Sequence, residues 1–225
     1  YWVSYPAQVD LFGGVPKLVE TPEDDVFRLG ADALRAAVTP RTKAIILCSP
    51  SNPTGAAYRR ADLEALAGAL REGDYWILAD EIYGEMVYDG FDQVSLLEVA
   101  PDLRDRLILV DGVSKTYAMT GWRIGWALAP AAVAKAVDKV QGQSTTNPTA
   151  VAQHAAVAAL RGDKAPVAAM VAAFAERRRA IVDGLNAIDG ISCREPEGAF
   201  YVFPNVTGLL GRRADGQVLT DDLAV

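Results

Sequence analysis

The sequence predicts an α/β fold, a mostly parallel sheet wrapped by helices. Short apolar runs of Val, Ile and Leu alternate with Ala/Leu-rich stretches at helical spacing. Each polar motif of interest falls just after one of the apolar runs. Ligands in open α/β sheets bind at the carboxyl ends of strands, so this placement points to an enzyme.

The strands are expected at Lys43–Cys48 (KAIILC), Tyr75–Ala79 (YWILA), Leu107–Val110 (LILV) and Arg123–Ala129 (RIGWALA). The first is apolar enough to be buried on both faces. Between them, Ala61–Glu72 sets Leu63, Leu66, Ala67 and Leu70 on one helical face, and Ala131–Val140 does the same with Val133, Ala136, Val137 and Val140. Pro166 suits the first turn of a long helix with Val167, Met170, Val171, Phe174, Ile181, Leu185 and Ile188 along it. Gly198–Phe203 (GAFYVF) then reads as a strand. A boundary near Pro166 divides residues 1–165, a large domain, from residues 166–225, the start of a smaller α+β one.

The 225 residues are 51% hydrophobic and 23% charged, enough for a substantial core. A net charge of -7 repels phosphate backbones and argues against nucleic acid as a partner. The longest uncharged stretch, Gln141–Leu160, is broken by Gln, Asn, Pro and His, so no membrane span is expected. Cys48 and Cys193 have no metal-ligand or redox spacing, which suggests buried thiols in a reducing compartment, with the cytoplasm as the default. His154, the single histidine, lies in an Ala-rich helix and reads as structural. The chain opens at Tyr1 and stops at Val225 without a terminator-like signal, so a fragment of a longer protein is expected.

Four segments carry polar groups suited to chemistry. SPSNPTG (Ser49–Gly55) could aim the Asn52 amide at a ligand, although most Pro-rich strings are plain turns. In ADEIYGE (Ala79–Glu85), Asp80 stands at a strand end with Tyr83 three residues on; alone, such an Asp is more often a helix cap. GVSKTYAMTGWRIG (Gly112–Gly125) sets Lys115 eight residues before Arg123. A phosphate loop would need Gly directly before that lysine, where Ser114 stands. YWVSYP opens the chain, and its Trp2 alone would be core.

Singly, each bland explanation wins; in combination they do not. The order Trp2, Asn52, Asp80, Tyr83, Lys115, Arg123 resembles fold-type-I aminotransferases of the aspartate aminotransferase family, which carry pyridoxal 5'-phosphate. GGVP and PEGAFYV extend the likeness over nearly the whole chain, and Met119–Gly125 (MTGWRIG) matches bacterial members. The resemblance implies a seven-stranded-type sheet and a cofactor Schiff base on Lys115, whose freed amine would shuttle a proton. It implies Asp80 on the pyridine nitrogen, Tyr83 and Asn52 on the ring oxygen, Arg123 on the phosphate and Trp2 stacked on the ring. Ser114 is a further phosphate candidate, since Gly112 stands where many relatives have a phosphate-binding serine. The implied substrates are an amino acid and a 2-oxo acid, aspartate and 2-oxoglutarate first, in a homodimer to whose partner site Gln143–Pro148 would reach or, equally, be a plain loop. A β-lyase or a cofactor-sensing regulator module remains open.

Overall fold

The computed structural model describes every residue except Asp215 and Ala224. In chain order the elements are α1 (Ser4–Leu11), α2 (Ala31–Ala37), β1 (Ala44–Cys48), α3 (Arg60–Arg71), β2 (Trp76–Asp80), α4 (Leu96–Val99), β3 (Leu107–Gly112) and β4 (Gly125–Leu128). There follow α5 (Ala131–Ser144), α6 (Ala150–Arg161), α7 (Ala165–Asn186), β5 (Arg213–Ala214) and β6 (Gln217–Val218). The first four strands form one sheet in the order β1-β2-β3-β4, and β5 and β6 form a separate antiparallel pair.

β1, β2 and β3 pair in parallel, with Cys48 opposite Asp80 and Asp80 opposite Val110. β4 runs antiparallel to β3, with Gly112 opposite Gly125. The RIGWALA strand starts later than its apolar pattern suggests because Arg123 has φ of 54°, outside the extended region. β1 corrects a second expectation. It forms an edge of the four-stranded sheet, and its residues are exposed or half-buried instead of enclosed on both faces.

α3 covers one face of the sheet. Its predicted stripe of Leu63, Leu66, Ala67 and Leu70 is buried in one cluster with Ile77 and Ala79 of β2 and Leu107 of β3. The helix begins where the Asp62 carboxylate accepts the Arg59 N–H at 2.9 Å, satisfying a donor the helix leaves free. α5 forms as predicted, yet it buries no residue in this chain, and Val137 and Val140 face outward. His154 is exposed on α6.

GAFYVF is not a strand. Ala199 has φ of 56°, which interrupts an extended run, and only an isolated bridge joins Gly198 to Val87. The segment is a loop pinned to the sheet instead. Glu197 and Gly198 both donate their N–H to the Gly55 carbonyl, at 3.1 and 2.8 Å, and Ala199 donates to Met86 at 2.8 Å. A Cβ on Gly55, at φ of 69°, would stand 2.4 Å from the Cβ of Pro196, so only glycine fits there. Arg178 of α7 reinforces the join: it donates to the Pro196 carbonyl at 2.8 Å, pairs with Asp89 and Glu195, and lies over the Tyr88 ring.

Leu66 sits at the centre of the main cluster with 1% exposure. Leu66→Ala should lower unfolding stability by about 2–5 kcal/mol, read from urea titrations.

Candidate active site

The parallel register sets the ends of β1 and β2 level, with β3 running on to Gly112, and the residues at and just after these ends include the candidates. β2 ends at Asp80, whose Oδ2 accepts a hydrogen bond from the Tyr5 hydroxyl at 2.6 Å and whose Oδ1 accepts from the Ile82 N–H at 3.1 Å. Tyr5 also packs edge-on against Trp2, ring centroids 5.6 Å apart and 89° between planes. One side chain of α1 thus touches both the carboxylate and the indole. Burial, then the nearby Cys48 and Asp80, push the Tyr5 phenol well above its ordinary range, so it remains a proton donor. The Cys48 thiol is pushed up to about 11 by burial and by Asp80, which makes it a poor nucleophile.

Asn52, Tyr83 and Lys115 gather round the 196–201 loop. The Asn52 amide nitrogen donates to the Tyr201 hydroxyl at 3.3 Å, and Tyr201 is hydrogen-bonded to the Tyr83 hydroxyl at 2.7 Å. Burial raises the Tyr83 phenol. The Lys115 amine lies 5.8 Å from the centre of the Tyr83 ring and 5.6 Å from that of Phe200. Phe200 is stacked in turn on Phe174 of α7, centroids 5.5 Å apart. Tyr83 stands in the turn three residues after Asp80, which joins the two groups of residues along the chain.

The remaining two candidates stand at its margin. Ser114 is half-buried directly before Lys115. Arg123 is exposed, and its Nη1 donates to the Thr120 carbonyl at 2.8 Å. Trp2 is 42% exposed. Three participants went unnoticed in the sequence: Tyr5, Phe200 and Tyr201. Tyr5 follows Trp2 by three residues, one helical turn, and that spacing could have flagged it.

This sheet has the fold of the fold-type-I pyridoxal-phosphate-dependent transferases. The profile of the aminotransferase class I and II family matches residues 1–223, and the chain belongs to that family, whose members use pyridoxal 5'-phosphate. It is 47% identical to an aspartate/prephenate aminotransferase of Cereibacter sphaeroides over 100% of this chain and 56% of that protein. It is 47% identical to an aspartate aminotransferase of Geobacillus stearothermophilus over 91% of this chain and 52% of the relative. The crystal structure of the aspartate aminotransferase from Rhizobium meliloti superposes with a TM-score of 0.97 at 45% identity, covering 100% of this chain and 56% of that one. The chain therefore spans about half the length of the curated relatives it matches.

Asp111, near the end of β3, is a half-buried acid. Burial raises its carboxyl to about 6, with Asp80 and Glu85 adding to the effect while the Gly112 N–H opposes it. A raised acid favours the fold while protonated, so this contribution is present at low pH and is lost as pH climbs through about 6. Asp111→Asn keeps an acceptor for Gly112 and removes the charge. It should gain about 1 kcal/mol, roughly 2–4 °C in melting temperature, at pH 7.5 and much less at pH 5. Melting curves at the two pH values check this.

Proposed function

We propose that the protein made from the complete reading frame is an aminotransferase, moving an amino group between L-aspartate and a 2-oxo acid, 2-oxoglutarate first, with pyridoxal 5'-phosphate held on Lys115. The observation that carries this is the grouping of Lys115, Tyr83 and Asn52 round one loop, with Asp80 at the end of β2 three residues before Tyr83. Relatives named for aspartate, and the family itself, support the substrate.

The donor set fits the group. When bound, the cofactor supplies an aldehyde and an electron-withdrawing ring. Lys115 offers the primary amine that holds the aldehyde carbon and afterwards carries a proton to and from the substrate carbon. Asp80 offers a carboxylate for a ring nitrogen, and its own oxygens are fixed by Tyr5 and Ile82. Tyr83 and Asn52 offer O–H and N–H to the ring oxygen. The Arg123 guanidinium offers a two-pronged grip for the phosphate, with Ser114 as a second donor, and Trp2 offers a flat face to the ring. We place the boundary between a cofactor-binding part and the start of a smaller domain at residues 165/166, where α7 begins. We also propose a cytoplasmic homodimer; among the described residues no helix is long and apolar enough to cross a membrane.

Prephenate is a second amino acceptor to test, because some relatives are named for it as well as for aspartate. Both acceptors belong in the same assay.

Borohydride treatment of the cofactor-loaded protein should fix the label to Lys115; a label on Lys17, Lys43 or Lys135 in peptide maps would overturn the assignment. Lys115→Ala should bind cofactor yet lose nearly all turnover. Asp80→Ala should depress kcat far more than it raises KM for aspartate, and a rate close to wild type would mean that another carboxylate serves.

A further inference from the structure

We propose that Tyr201 is a positioning residue that acts through Tyr83 and Asn52 on the cofactor's ring oxygen. This rests on the functional reading above and adds to it a residue outside the motifs that suggested it.

The direction of the hydrogen bonds carries the argument. An amide nitrogen can only donate, so at Asn52 the Tyr201 oxygen accepts, at 3.3 Å. The one proton of Tyr201 is then free to go to the Tyr83 oxygen, 2.7 Å away. With Tyr201 donating, a direction the geometry of the pair permits, the chain runs from Asn52 through Tyr201 to Tyr83 and leaves unspent the second N–H of Asn52 and the O–H of Tyr83. Those are the two donors assigned to the ring oxygen. A hydroxyl that accepts a hydrogen bond becomes a stronger donor, so Tyr201 both aims Tyr83 and sharpens it. The raised Tyr83 phenol keeps its proton throughout.

Tyr201 is held in place independently of its hydroxyl. The backbone bonds of Glu197 and Gly198 to Gly55, and of Ala199 to Met86, fix the loop. The Tyr201 ring meets the Tyr83 ring edge-on, 5.7 Å between centroids, a contact that phenylalanine keeps. Tyr201→Phe therefore deletes the hydroxyl and little else.

The test uses the cofactor-loaded protein from the complete reading frame and follows its visible absorbance against pH. Donation to the ring oxygen stabilises that oxygen's anion and loosens its hold on the proton carried by the joined Lys115 nitrogen. Losing donation moves the titration midpoint upward. Tyr201→Phe should raise it by about 0.3–1 pH unit, a two- to tenfold change in the dissociation constant, with Tyr83→Phe shifting it further. The double variant should shift it by less than the two single shifts added together, because one residue acts through the other. An unchanged midpoint in Tyr201→Phe, or fully additive shifts, overturns the proposal. If the wild-type protein neither turns yellow nor takes a label on Lys115, the functional reading itself fails. If it does both and Tyr201→Phe titrates as wild type, only the role of Tyr201 falls.

Discussion

Parallel pairing holds β1, β2 and β3 in one register, and the rest of the site depends on that alignment. With Cys48, Asp80 and Val110 abreast, β1 and β2 end at one level and β3 runs on to Gly112. The loops that carry Asn52, Tyr83 and Lys115 begin within a few residues of those ends. A slip of one residue in β2 would turn Asp80 to the other face of the sheet and away from Tyr5. The apolar cluster beneath α3 fixes the register, because Ile77 and Ala79 point into it while Asp80 does not. Core packing and the geometry of the candidate site are therefore one constraint.

A second constraint closes the site from above. Residues 196–201 are bound to Gly55, Met86 and Tyr88 through backbone atoms, and Glu197 draws Arg28 and Arg59 to the same place. Arg28 joins three distant stretches, since it also donates to the Ala57 carbonyl at 2.7 Å and pairs with Asp62 at 3.2 Å. Arg28 and Glu197 are only partly exposed, so their pairing is worth more than that of the surface ion pairs along α3. The result is a rigid loop that presents Phe200 to the lysine and Tyr201 to the phenol and amide.

Much of this was legible in the sequence. Strands β1, β2 and β3 and the buried face of α3 follow from apolar runs and helical spacing, since both patterns record burial directly. Four of the site residues, Asn52, Asp80, Tyr83 and Lys115, were legible because their motifs follow strands. Other features were not, for identifiable reasons. The direction of β4 depends on a turn at Arg123 with positive φ, which side-chain pattern does not encode. GAFYVF has the composition of a strand, but the backbone at Ala199 and the close approach of Gly198 to Pro50 make it a loop. The stripe on α5 predicts burial that nothing in this chain supplies. Tyr5 and Tyr201 act across separations of 75 and 149 residues, to Asp80 and Asn52, and no local pattern reports such bonds.

Those separations bear on the order of assembly. During synthesis Lys115 leaves the ribosome long before Tyr201, and until then the pocket of Tyr83 and Asn52 lacks its closing wall. The entropy of closing so long a span has to be met by packing that forms first, on the sheet and beneath α3. The chemistry-bearing corner closes only once residues 196–201 return to Gly55.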